Sequence, residues 1–341
     1  MKIIQIADLY TAGGFINLPA VLDLGYKYTI IVSMRGGGKT YGALRYFVEH
    51  DEKFIYFRRT MRSLKICVSP DFHVFRPVNK DLGRDIRPKY DGALDLGYFD
   101  DEDGDRIGYA VNLSTLAPIR SIGSASSLGV KWLCLDEFIP QPDEVKRYDI
   151  YDAWKQAEET FIRNDAITGT EPRRLLMANA DTIRGDIIRG YRIDDDYMIM
   201  QEQGIEAAEV NEDMLLLRPG CAALAEAKSD TALYRVSEEG NDVMLRNKFT
   251  IEDRPVIGKK PIAEYKPMAA ISGICIYRHK SRAEYYISET VSGKPKTYRS
   301  EEADRRRFLR DQTAVWRAYM KNRVFYETLH AQTLFLRIYD L

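Results

Sequence analysis

The stretch Tyr28–Tyr46, YTIIVSMRGGGKTYGALRY, decides the fold. Its β-branched run Tyr28–Val32 predicts a strand, Gly36, Gly37 and Gly38 a tight turn, and the segment after Lys39-Thr40 an amphipathic helix. Adjacent glycines take torsions closed to other residues and turn successive N–H groups inward, toward a polyphosphate. Lys39 adds positive charge for the β and γ phosphates, Thr40 offers a hydroxyl to Mg²⁺, and the helix start presents its positive dipole end. Ser33, Met34 and Arg35 complete the loop, with Ser33 where the first glycine of GxxxxGK[ST] normally stands. The loop predicts a nucleoside triphosphate. A glycine turn without a ligand is the alternative, disfavoured by the strand before it and the Lys-Thr pair after it.

The second anchor is Val130–Glu137, VKWLCLDE. A parallel strand buried on both faces is nearly all apolar, and this one ends in two carboxylates. At the tip of such a strand Asp136 supports Mg²⁺ through its water shell and Glu137 polarises the attacking water. One acid alone would suit a kinase or a nucleotide switch; the pair favours a hydrolase. A third apolar run, Leu175–Ala178, is tipped by Asn179, an amide able to sense a γ phosphate or to cap a turn. The three strand ends are expected to converge on one pocket.

Composition sets the outer limits. The 341 residues are 45% hydrophobic and 30% charged, an ordinary globular balance with room for one large or two modest domains. No apolar run approaches the roughly 20 residues that span a bilayer, and MKIIQIADLY has no signal-peptide core, so a cytoplasmic protein without a membrane partner is expected. Cys67, Cys134, Cys221 and Cys275 lack metal-ligand spacing and read as reduced core residues; no zinc is expected. With a net charge of −1, nucleic-acid contact must come from local basic patches, which occur at FRRTMRSLK (57–65) and in the last quarter of the chain.

Around these anchors, the lead-in before Tyr28 is expected to cover a nucleotide base. Lys53–Phe57 reads as a strand ending in Arg58-Arg59, a pair placed to touch phosphate or DNA, or else a solvated strand end. Alternating runs on either side of DDEDGD, between Ala93 and Leu113, predict a hairpin with a solvated turn; the glycine is out of register for a calcium loop. Glu144–Asn164 predicts a helix with Tyr151, Trp154, Ala157 and Phe161 along one face, and residues 194–241 a linker or small helical subdomain. Ala270–Tyr277 and Ala283–Glu289 predict paired strands around the basic turn RHKSR, followed by helices near Glu301–Tyr319 and Asn322–Tyr339.

Taken in order and spacing, MRGGGKTYGALRYFVEHDEKFIYFRR, WLCLDEF, TFIRN and MANA resemble the DNA-packaging (encapsidation) ATPases of phi29-type small tailed phages, cousins of the large terminase subunits. The resemblance is good over Tyr28–Thr182 and weak beyond. It implies an α/β, ASCE/RecA-like P-loop NTPase domain with a central mostly parallel sheet (1–193), the linker (194–241), and a small α+β, RNase H-like vestigial nuclease domain (242–341). Lys39 and Thr40 become the Walker A pair, Arg35 the loop's basic residue, Asp136 and Glu137 the Walker B pair, and Asn179 part of the coupling motif. Arg163 matches a trans-acting arginine finger. Arg120 aligns, across a gap, with a lysine placed near a neighbour's site, or is a surface arginine beside a loop.

The resemblance also implies a homo-oligomeric ring, usually of five, on the portal of an empty capsid in the host cytoplasm. ATP and Mg²⁺ would be the cofactors and double-stranded DNA the cargo; whether a packaging RNA or protein alone joins motor to capsid stays open. An active nuclease needs carboxylates on its strand ends. AISGICIY (270–277) has none, so no cleavage is expected. Its domain would instead hold DNA phosphates through Arg278, Lys280, Arg282, Arg305, Arg306 and Arg307, unless these are solvated or protein-binding helix faces. A small-molecule kinase or a nucleotide-switch assembly protein is the other reading.

Overall fold

A computed structural model describes residues 1–115, 123–140, 148–179, 185–229, 231, 257–320 and 323–339. Arg120 lies outside them, as do residues 144–147 of the expected helix. The chain divides into two compact units, Met1–Phe249 and Thr250–Leu341.

The first unit runs β1 (Lys2–Ile3), α1 (Leu18–Leu22), β2 (Tyr28–Ser33), α2 (Lys39–Glu49), β3 (Lys53–Arg58), α3 (Met61–Cys67), α4 (Arg76–Leu82), β4 (Arg87–Asp91), β5 (Leu96–Asp100), β6 (Arg106–Asn112) and β7 (Val130–Asp136). It continues with α5 (Ile150–Ile162), α6 (Asp165–Thr168), β8 (Arg173–Asn179), α7 (Asp186–Gly190), α8 (Asp194–Gln203), β9 (Ala207–Asn211), β10 (Met214–Leu217) and α9 (Ala222–Ser229). Its strands form one sheet in the order β1-β9-β10-β2-β8-β7-β3-β6-β5-β4. The six from β10 to β6 are mutually parallel, and the pairings at both edges are antiparallel.

A buried parallel sheet needs apolar residues on both faces, because helices cover both. In β7, Trp132 and Cys134 enter one core with Phe47, Leu175 and Met177, while Leu133 and Leu135 enter the opposite core with Trp154, Phe161 and Leu176. The two-residue period of a strand alone sorts them. With both tryptophans at 0% exposure, truncating either to alanine costs about 3–5 kcal/mol. All four cysteines are buried and unpaired.

Residues 194–241 correct the expected linker. Their described part carries α8, then β9 and β10, and β10 lies parallel to β2 in the central sheet. MLLL (214–217) is too short to stand out among polar neighbours, yet it buries all four side chains because β2 supplies a ladder. The hairpin around DDEDGD is present as β5–β6, extended by β4. Its tip is an Asx turn in which Asp101 Oδ1 accepts from the N–H groups of Asp103 and Asp105.

The second unit has the sheet order β14-β11-β12-β13-β15, from β11 (Tyr265–Ile271), β12 (Ile274–His279), β13 (Tyr285–Ser288), β14 (Lys296–Thr297) and β15 (Val324–Tyr326). Helices α10 (Glu302–Asp311), α11 (Thr313–Tyr319) and α12 (Leu329–Ile338) complete it, with Phe308, Val315 and Phe335 in its core. AISGICIY is two strands and not one. Ser272 (φ 48°) and Gly273 (φ 82°) reverse the chain between β11 and β12, since both central positions of such a turn need positive φ. The expected helix over Asn322–Tyr339 likewise begins with a strand, β15. Among the described residues, no helix is long and apolar enough to cross a membrane.

Candidate functional site

The tips of β2, β8, β7 and β3, four neighbouring parallel strands, hold the chemistry. Register places Ser33 beside Asn179 and Asp136 beside Met177, with Arg58 one residue beyond the Phe57–Leu135 pair. Ligands bind open α/β sheets at this carboxyl edge. From Ser33 the chain enters the glycine turn, in which Gly36 (φ 70°) and Gly38 (φ 90°) adopt left-handed torsions, and α2 starts at Lys39. A side chain at Gly38 would also meet Phe15 Cβ at 3.3 Å. Packing and torsion thus both demand glycine there.

The turn opens on a cleft of about 1070 Å³ lined by Gly36 to Thr40, Arg35, Asp136, Glu137, Asn179 and lead-in residues Phe15, Leu18 and Pro19. Lys39 is 6% exposed. Its ammonium donates to Ser33 O (3.2 Å), Ser33 Oγ (3.0 Å), Met34 O (2.9 Å) and Asn179 Oδ1 (3.1 Å). Ser33 and Met34 therefore act by fixing Lys39, and the Met34 side chain is buried in the core. The Ser33 hydroxyl, at the position usually glycine, serves as one of these acceptors.

Across the cleft Thr40 Oγ1 donates to Asp136 Oδ2 at 2.8 Å. The same oxygen accepts from Tyr56 OH at 2.5 Å and Arg58 Nη1 at 3.2 Å. Arg58 Nη2 meets Glu137 Oε2 at 2.5 Å, so one guanidinium bridges both acids. Burial opposes the Arg58 charge, but the carboxylates of Asp136 and Glu137 favour it, and the guanidinium is held protonated more firmly than usual. Burial, with Asp136 next, pushes the Tyr56 phenol well above its ordinary range. It stays a neutral donor. Arg59 Nε donates to Glu137 O, and Glu137 itself has φ 56°. That left-handed residue just past the strand turns its carboxylate out of line with Asp136.

Sequence reasoning brought Lys39, Thr40, Asp136, Glu137 and Asn179 to one place, and there they are. It missed Tyr56, which looks like any strand aromatic, and it left Arg58 between a phosphate or DNA contact and a solvated strand end, although its partners are the two acids. Arg163 is elsewhere. It caps the end of α5 with φ 45°, beside Phe161 O, which accepts from Ala125 N, and beside Asp165, which accepts from Ser126. Ala125 in turn binds Val130, the first residue of β7. Arg163 thus lies at the edge where the strands begin, opposite the cleft.

In the second unit most of the expected basic residues have partners. Arg282 faces Glu264 and Glu284, Arg305 and Arg306 face Glu302, and Arg307 faces Asp304. Lys280 Nζ donates to Ala263 O at 2.6 Å. Arg278 is exposed and stands directly across the ladder from Lys266, an exposed lysine the sequence did not single out.

Neither a protein-family model nor a curated protein matches the sequence. Among solved structures, the Phi-28 gp11 DNA packaging motor is 15% identical with a TM-score of 0.57, over 97% of this chain and 99% of that one. The bacteriophage Phi-29 viral genome packaging motor assembly is 15% identical with a TM-score of 0.55, over 96% and 98%. The ATPase domain of the Thermus phage P74-26 large terminase gives a looser likeness, at 11% identity and a TM-score of 0.39 over 66% and 89%. The chain has the fold of the two phage packaging motors along nearly its whole length, as the sequence resemblance implied.

Proposed function

We propose that the chain is a motor subunit that hydrolyses ATP to move double-stranded viral DNA into a preformed capsid. The observation that carries this reading is the meeting of Lys39, Thr40, Asp136, Glu137 and Asn179 on one cleft, in a chain with the fold of packaging motors. The Phi-28 and Phi-29 structures are described as DNA packaging and viral genome packaging motors. A P-loop NTPase of the ASCE type accounts for the cleft. Gly36 to Gly38 cradle the phosphates with backbone N–H groups, Lys39 and Arg35 supply positive charge, and Phe15, Leu18 and Pro19 flank the base.

Thr40 and Asp136 present a hydroxyl and a carboxylate oxygen side by side, the hard oxygen donors that Mg²⁺ takes, partly through water. Thr40 and Asp136 would hold Mg²⁺ there, and the ion would supply positive charge against the β and γ phosphates. Glu137 orients the attacking water and accepts its proton, once Arg58 no longer occupies Oε2. Asn179, bonded to Lys39, senses whether a γ phosphate is present. Arg163, on the opposite sheet edge, serves the cleft of a neighbouring copy in a ring, expected to be of five. Arg120, outside the described residues, keeps its expected role beside a neighbour's site.

The second unit, read as a vestigial RNase H-like domain without cleavage activity, holds DNA through phosphates, with the exposed pair Lys266 and Arg278 among its contacts. Portal protein, with or without a packaging RNA, would anchor the ring in the host cytoplasm. The test is ATP turnover by the purified full-length chain with and without double-stranded DNA. Turnover altered by DNA is expected. ATP consumed only with a small-molecule acceptor, or bound and never turned over, overturns the motor in favour of a kinase or an assembly switch.

A further inference from the structure

Helix α9 lies along the glycine turn. A side chain at Gly14 would meet Leu224 N at 3.0 Å, and one at Gly37 would meet Cys221 Sγ at 3.5 Å, so the start of the helix is seated against both. Its last turn brings Lys228 over the loop. Lys228 Nζ donates to Arg35 O at 2.9 Å and lies 2.8 Å from where a Gly36 Cβ would be. Among the described residues, Lys228 has no carboxylate partner, although the chain pairs most of its partly buried lysines and arginines. Burial lowers its pKa, consistent with an ammonium stripped of water and not compensated by an acid.

We propose that Lys228 is a second phosphate-binding cation, reaching the terminal phosphate of a nucleoside triphosphate from the side of the loop opposite Asp136. An ammonium has three donors, and Arg35 O uses one. The other two are available to phosphate oxygens next to the Gly36 backbone. Lys39 closes the loop from beneath, tied to Ser33, Met34 and Asn179, whereas Lys228 closes it from α9. Because Gly36 leaves no side chain beneath that ammonium, any other residue at 36 would evict it. The inference rests on the cleft being a triphosphate site.

The experiment is equilibrium binding of fluorescent ATP, ADP and AMP to the full-length protein, to Lys228→Met, which keeps the apolar stem, and to Lys228→Arg, which keeps the charge. The expected result is about a tenfold or greater loss of ATP affinity in Lys228→Met, a smaller loss for ADP, and near-native binding by Lys228→Arg. ATP binding by Lys228→Met within about twofold of the parent overturns the proposal. So does a loss equal for all three nucleotides and matched by a lower melting temperature in both variants, which would make Lys228 a packing residue. Failure of the unsubstituted chain to bind any nucleotide overturns the reading of the cleft itself, a result distinct from either.

Discussion

The cleft and the second unit use positive charge in opposite ways. At the cleft Arg58 and Lys39 are almost sealed from water; Arg58 is fixed by the remote Asp136 and Glu137, and Lys39 by Ser33, Met34 and the remote Asn179. In the second unit Arg306 and Arg307 are exposed on one helix and pair with Glu302 and Asp304, four and three residues away. Charges of the first kind are worth several kcal/mol to whatever they hold, because little solvent screens them. Exposed i,i+3 and i,i+4 pairs contribute a few tenths of a kcal/mol. An arginine count therefore says little about where binding happens.

The most severe test of that contrast is Arg163, exposed and yet assigned a catalytic role. Arg163→Ala should lower ATP turnover of the assembled protein by about 10³-fold or more. Mixing it with Glu137→Gln subunits should restore part of the rate, because intact finger and intact acid then meet across an interface. No recovery in mixed assemblies would return Arg163 to the class of ordinary surface charges. Glu137→Gln alone should cut turnover by about 10²- to 10⁴-fold while nucleotide binding persists; lost binding with turnover retained would contradict its role.

Arg58→Ala sharpens the contrast on the buried side. It leaves Asp136 and Glu137 without their shared cation, and chemical denaturation should show a loss of about 3 kcal/mol. Mg²⁺ with ATP should recover part of it, since the metal replaces the missing charge. An unchanged midpoint would mean the pair is as weakly coupled as the helix pairs of the second unit. Smaller again is the expected effect of Lys266→Ala with Arg278→Ala. DNA affinity should fall, and the slope of log K against log salt should flatten by about 0.9 for each phosphate no longer neutralised. Arg306→Ala, removing an arginine already paired, should barely move either.

The mildest effect concerns Asp100, which Lys89 and Arg106 pair at 2.8 and 2.5 Å beside the turn of the β5–β6 hairpin. Burial works against its ionised form, but the two cations outweigh it and leave the pKa below the ordinary 3.8. A depressed carboxylate stabilises the fold at pH values above its unfolded pKa, and that contribution is lost as pH falls through the folded value. Melting temperature should thus drop below about pH 4, and Asp100→Asn should flatten that acid limb.

The sequence was most legible where chemistry is local. Gly36 to Gly38 can only be a turn between a strand and a helix, and an apolar run that ends in Asp136-Glu137 names both its burial and its charged tip. Legibility failed where a residue's meaning comes from a distant partner. MLLL needs β2 to be a strand, Tyr56 needs Asp136 to be more than a core aromatic, and Lys228 in an alanine-rich helix carries no signal until α9 lies on the loop. Two further differences do have local cues. Ser272-Gly273 marks a turn inside AISGICIY, and Glu302 and Asp304 stand at pairing distance from the arginines they neutralise.

The placement of Arg163 has a geometric consequence. β7 spans seven residues between the edge where Arg163 lies and the edge that bears Glu137, a depth of about 20 Å. A two-fold dimer would have to hold both edges within one self-complementary patch, whereas a head-to-tail contact needs only one edge on each face. Copies in which Arg163 serves the next cleft, as proposed, would associate with polarity, front to back, each addition leaving one half-finished site exposed. Such a series ends only by closing on itself; otherwise it grows into a helical fibre.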